Sequence, residues 1–176
     1  LLQDKALTSR ADDYGLILKG FVVWMGWTCC RPVELFNLTH DDVLLDKDEI
    51  NVPREFDKSS RGKRPVLPPA CKEIYLQMPR ISRYVFPAPR GERFSASGFH
   101  GYWHPIRVAA GRPEFQAYEL KHYAITRMID DPPWGLGLSP LEAALQAGHN
   151  DDGRTVLRYY AKLRERETRE RIKQAM

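Results

Sequence analysis

The sequence predicts an α+β domain, mostly α-helical, with one small three-stranded antiparallel sheet. Three observations lead there. Apolar residues recur at helical spacing in 14–27 and again at Leu120, Tyr123, Ala124 and Met128. Between residues 43 and 67, short β-favouring runs alternate instead with polar turns. The chain has 176 residues, 43% hydrophobic and 28% charged, which is ordinary for one domain with a real core.

Taken in order, YGLILKGFVVWMGW (14–27) reads as a buried helix. It is the most apolar stretch, yet Lys19 and the glycines break it well short of the roughly 18 unbroken residues of a membrane span. TCCRPVELFNLTHDDV follows, with Thr28 as a candidate N-cap and Pro32 in the first turn of a short helix ending before Asp41. VLLDKDEINVP predicts two strands around an Asp-Lys-Asp-Glu turn, and Lys63 to Leu67 predicts the third. Pro68 and Pro69 close that strand, and a helix is expected over Ala70 to Gln77. The segment PRISRYVFPAPRGERFSASG is rich in Pro, Arg, Ser and Gly and reads as loop. A helix restarts there, with Ser95 as its cap, and FQAYELKHYAITRMIDD forms the next. DDPPWGLGLSP connects, Ser139-Pro140 opens LEAALQAG, and a last helix begins at about Gly153. There is no internal repeat.

Composition narrows the chemistry. Lys and Arg number 27 against 23 acids, a net +4 that permits a polyanionic partner without demanding one. Three cysteines (Cys29, Cys30, Cys71) without CxxC spacing argue against a disulfide framework or a zinc site, and favour a reducing, intracellular setting. Five histidines occur without an HExxH pattern. His100 and His104 stand four apart on a helix but lack a third ligand, and read as packing or phosphate contacts. The expected chemistry therefore uses no metal and no cofactor.

What remains is a set suited to phosphate: Arg31 at a helix start, Lys58 in a turn, Lys121 and His122 on one helix, His149 in a Gly-His turn, and Tyr160 beyond it. Phosphodiester transfer through a phosphotyrosine needs such a set. Cations must stabilise the extra negative charge on five-coordinate phosphorus, the nucleophile must lose a proton, and the leaving oxygen must gain one. Each residue also has a plainer reading. Arg31 alone suggests a helix-start arginine paired with Glu34, and Lys58 beside Arg61, Lys63 and Arg64 suggests a solvated turn. His149 could cap a helix, and His122 could simply pack.

Four segments resemble, in order, the boxes of the tyrosine recombinase (phage integrase) family over roughly residues 14 to 165: TCCRPVELFNLTHDDV, DKSSRGKRPVLPP, AYELKHYAIT and QAGHNDDGRTVLRYYAKL. The resemblance implies the tyrosine recombinase catalytic-domain fold over 1–176, without the N-terminal core-DNA-binding domain common in the family. It implies Arg31 as the first catalytic arginine, Lys58 as the hairpin lysine and general acid, His149 as a phosphate ligand and Tyr160 as the nucleophile, with Tyr159 as the alternative. Lys63, Arg64, Arg90, Arg93 and His122 become candidate DNA contacts. The third box departs from the family pattern. Tyr118 stands where the family has histidine, and Lys121 where it has the second arginine. Lysine keeps the charge but loses the planar two-oxygen grip.

The resemblance further implies double-stranded DNA as partner, a homotetramer on two duplexes with a monomer possible without DNA, no membrane, and a cytoplasmic, nucleoid-associated protein of prokaryotic or phage origin. A catalytically silent DNA-binding relative and a type IB relaxing topoisomerase remain alternatives.

Overall fold

The computed structural model of the protein describes residues 13–57 and 60–175, with the backbone alone at 13, 159, 161–168, 170 and 171. Helix α1 (Asp13–Thr28) is the central element. Tyr14, Ile17, Leu18, Phe21, Val22, Trp24 and Met25 are all buried, so the helix has apolar side chains around most of its circumference and must lie inside. Helices α3 (Pro69–Gln77) and α5 (Glu119–Ile129) pack on it. Gly20 makes the first contact close, since Met78 Sδ fills the space that a Cβ there would need.

Aromatic rings tie the other elements to α1. Phe21 stacks on Phe36 of α2 (Pro32–Asn37) at 5.5 Å and meets Phe86 edge-on at 5.7 Å. Phe99 of α4 (Ala96–Ala109) sits 4.7 Å from Phe21 and 4.9 Å from Phe36. The Arg- and Pro-rich segment between α3 and α4 is irregular, as its composition predicts, but it is anchored by Val85, Phe86 and Phe94 in the core. Its backbone is pinned as well, with Val85 N–H donating to Leu38 O at 2.9 Å.

Strands β1 (Val43–Leu44) and β2 (Glu49–Ile50) are antiparallel, with Val43 opposite Ile50. The predicted third strand is not formed as such. Residues 63–67 lie beside β2 but make only isolated bridges, Glu49 to Val66 and Val52 to Lys63. Pro65 explains the interruption: it accepts from Ile50 N–H at 3.0 Å but has no N–H of its own to continue the ladder. The outer edge of this segment is taken by Gln146. Its side-chain amide donates to Val66 O at 2.9 Å and accepts from Val66 N–H at 2.8 Å.

The helix caps are largely as expected. Ser95 Oγ accepts from Gly98 N–H at 3.0 Å to start α4. Ser139 starts α6 (Pro140–Ala147) in a capping box with Glu142. Thr28 is the exception. It closes α1, its hydroxyl donating to Trp24 O at 2.7 Å, and α2 is capped by Arg31 instead. Helix α6 ends on Gly148 at φ +69°, and α7 (Arg154–Ala175) follows. A second apolar cluster joins α5, α6 and the start of α7 through Ala124, Ile125, Met128, Ala143, Ala144, Ala147 and Val156. Among the described residues, no helix is long and apolar enough to cross a membrane.

Removing the ring that joins α1, α2 and α4 tests this architecture. Phe21→Ala is expected to lower unfolding free energy by about 3–5 kcal/mol, read as a lower urea midpoint at unchanged slope.

Candidate phosphate-handling site

The turn between α1 and α2 places the first site residue. Cys29 adopts φ +56°, so the chain reverses tightly and brings Arg31 to the start of α2 in an extended conformation. Glu34, one turn into α2, reaches back to that start. Its Oε2 accepts from Arg31 N–H at 2.6 Å, and its Oε1 accepts from Arg31 Nη1 at 2.7 Å. The same carboxylate binds Lys63 Nζ at 2.7 Å, from the segment beside β2. Glu34 is 1% exposed, so these two cations compensate a charge that could not otherwise be buried. Asp57 Oδ1 lies 3.6 Å from Arg31 Nη1.

Two lysines converge on the C-terminus of α6. Lys63 Nζ lies 3.5 Å and Lys121 Nζ 3.4 Å from the carbonyl oxygen of Ala147. A terminal helix carbonyl carries partial negative charge and suits a cation. Gly148 permits the approach, because a Cβ there would come within 2.5 Å of Lys63 Cδ. Lys121 is 1% exposed, and burial first, then the Lys63 and Arg31 charges, lower its pKa to about 8. For Lys63 burial also opposes the charge, but Cys30 and Glu34 more than offset it and the pKa is raised. Burial pushes the Cys30 thiol up, so near neutral pH the carboxylate is its effective counter-charge. Cys29 behaves alike, pushed by burial up to about 12, and is no nucleophile.

His149 follows Gly148, its N–H donating to Ala144 O at 2.9 Å. Burial and then the Lys121 charge lower its pKa to about 4, so the imidazole is neutral at physiological pH. Its Nδ1 is buried without a hydrogen-bond partner among the described residues, as a group awaiting a ligand would be. Tyr118 precedes α5 and is exposed, with its ring edge-on to His122 at 5.0 Å. Burial works against charge on Arg31, but Glu34 and then Tyr118 outweigh it and raise the pKa.

Arg31, Lys121 and His149 thus share one electrostatic neighbourhood, with Tyr118 at its edge. Lys63, expected as a DNA contact, belongs to it too, with its ammonium buried against Glu34. Arg64 and Arg90 are exposed. Arg93 is exposed as well, but its Nη1 donates to Asn37 Oδ1 at 2.7 Å, so it braces the end of α2. Tyr160 is half-buried near the start of α7. Lys58 and the Tyr159 side chain lie outside the described residues. No group of three or more metal-ligating side chains occurs among the described residues. The residue that sequence reading undervalued is Glu34. Its Arg-x-x-Glu spacing was visible as a local pair, but its second partner, 29 positions from it in sequence, was not.

No protein-family model matches the sequence, and no curated protein does. Among solved structures, the chain is similar to XerA recombinase, at 22% identity and TM-score 0.68 over 96% of this chain and 61% of that one. It is similar to the Tn1549 transposon integrase in complex with transposon right end DNA, at 16% identity and TM-score 0.70 over 97% and 64%. A lambda integrase dimer bound to a COC′ core site matches at 17% identity and TM-score 0.67 over 89% and 44%. The chain has the tyrosine recombinase catalytic-domain fold, and it spans less than two thirds of each of these three chains.

The neutral His149 makes a pH prediction. Its folded pKa of about 4 lies below the ordinary 6.5, so between those values the unfolded chain binds more protons. The wild type should therefore lose stability as pH falls from 6.5 toward 4. Urea unfolding of His149→Gln over the same range should show a shallower loss; equal losses would mean that His149 is not held neutral.

Proposed function

We propose that this domain cleaves and rejoins DNA strands through a 3′-phosphotyrosine intermediate, as a site-specific recombinase or integrase. One observation carries the reading. Arg31 and Lys63 hold one carboxylate, Lys63 and Lys121 reach one helix-terminal carbonyl, and His149 lies within the field of these cations, in a fold shared with recombinases and integrases.

In this reading, the Tyr160 hydroxyl oxygen attacks the scissile phosphorus and loses its proton, while the bond from phosphorus to the 5′-oxygen breaks. Arg31 and Lys121 offer cationic donors to the non-bridging oxygens, where charge grows in the transition state. His149, neutral at working pH, offers an N–H rather than a charge. Lys63 is committed to Glu34, and the resemblance implies Lys58 as the general acid for the departing 5′-oxygen. A 5′-hydroxyl of another strand then attacks the phosphotyrosine, reversing the step and conserving the bond without a cofactor. Double-stranded DNA is the substrate, and four protomers on two duplexes is the assembly that the resemblance implies.

A second reading, a silent DNA-binding relative, draws support from Lys121. Where the family pattern has arginine, this lysine is buried with its charge partly suppressed. Trapping distinguishes the two. A suicide duplex library, nicked so that the released fragment bearing the 5′-hydroxyl diffuses away, should yield a covalent adduct with the wild type. Tyr160→Phe should abolish that adduct and keep DNA binding. Lys121→Met should slow adduct formation roughly ten- to hundredfold, the equivalent of about 1.5–3 kcal/mol for a lost charge-assisted hydrogen bond. An adduct that survives Tyr160→Phe but not Tyr159→Phe would move the nucleophile by one residue. No wild-type adduct, with one appearing in the Tyr118→His, Lys121→Arg double variant, would establish the silent reading.

A further inference from the structure

A basic cavity adjoins the site. It has a volume of about 430 Å³, lies between the chain leaving β2 and the segment returning beside it, and is lined by Arg54, Arg61, Gly62 and Arg64 with Val52 and Lys63. Its guanidinium groups differ from those around Glu34. Arg31 has Glu34 at 2.7 Å. Arg54, Arg61 and Arg64 have no hydrogen bond or ion pair among the described residues, all three are exposed, and no carboxylate lines the cavity. Part of the remaining polar lining is already committed. Val52 N–H and C=O both pair with Lys63, at 2.9 and 3.2 Å, and Asn51 Nδ2 donates to Asp42 Oδ1 at 3.2 Å.

The backbone is shaped to keep the cup open. Gly62 turns at φ +76°, and a Cβ there would stand 3.1 Å from Val52 O and 3.4 Å from Arg54 Cγ. A side chain would thus be strained and would crowd one of the arginines. Three permanently charged forks around one small cavity repel each other unless an anion joins them, and guanidinium geometry matches phosphate oxygens.

We propose that Arg54, Arg61 and Arg64 form a second phosphate site, which holds backbone phosphates of the DNA strand beside the scissile position. This rests on the DNA reading above. Holding the backbone here would fix the register of the duplex against the Arg31 and Lys121 groups, because Lys63 lines the cup and also bonds Glu34. Contacts of this kind position the nucleic acid and carry no base information.

The test is the salt dependence of duplex binding, measured by fluorescence anisotropy for the wild type, Arg54→Gln with Arg61→Gln, and Arg112→Gln as an exposed arginine outside the cup. The wild type should lose affinity with salt, and the double variant should have a log–log slope shallower by about one or more. Between roughly 50 and 200 mM salt its affinity loss should shrink about threefold for each phosphate contact removed, while Arg112→Gln follows the wild type. Steep wild-type dependence with an unchanged double variant overturns the cup and leaves the DNA reading intact. A wild type that does not bind duplex at all overturns both. If inorganic phosphate raises the melting temperature of the wild type but not of the double variant, while their DNA slopes match, the cup takes a free anion and the DNA assignment is wrong.

Discussion

A buried carboxylate with two cations on it is the constraint around which the site is built. Glu34 is almost fully enclosed, and an ionised carboxylate in that position is tolerated only with partners on its oxygens. Arg31 supplies a backbone N–H and a guanidinium N–H, and Lys63 supplies an ammonium. The consequences are structural. Arg31 must hold an extended backbone at the head of α2, and the segment beside β2 must come in close enough for Lys63 to reach α2. Gly148 must lack a side chain so that the Lys63 stem can pass the end of α6.

The electrostatic consequences follow from the same packing. Among the described residues, Arg31, Lys63 and Lys121 share a neighbourhood in which Glu34 pairs with Arg31 and Lys63, Asp57 lies near Arg31 and Asp151 acts on His149, so Lys121 is the cation without a carboxylate in contact. The same packing lowers the pKa of Lys121 and keeps His149 neutral, both led by burial and reinforced by neighbouring cations. An arriving phosphate would reverse the second influence, pairing with the cations that now repel one another. In the proposed reaction, such preorganisation would place charge before the transition state needs it.

Much of the fold was legible because its causes are local. The apolar girth of α1, the Ser95 and Ser139 caps and the turn between β1 and β2 are written in adjacent residues. The third strand failed for a reason that was also local, since Pro65 cannot donate to a ladder. Thr28 was misplaced as a cap because its hydroxyl is used inside α1 rather than ahead of α2. Motif order singled out Arg31, Lys121 and His149, which the fold brings into one neighbourhood, but it did not show how they are wired. Lys63 reads as a surface charge among Arg61 and Arg64, and only the close approach of α2 and α6 buries it. Glu34 looked like the partner of one arginine because nothing nearby in sequence announces the second cation.

A double-mutant cycle between Glu34→Gln and Lys63→Met most directly tests whether this carboxylate organises the site. Exposed ion pairs couple by about 0.2–1 kcal/mol, whereas removing one member of a buried pair costs roughly 3–5 kcal/mol because the other is left uncompensated. The account predicts that each single variant is strongly destabilised in urea, that the double variant recovers much of the loss, and that the coupling is well above the surface range. Coupling of a few tenths of a kcal/mol, with the two losses simply adding, would contradict it.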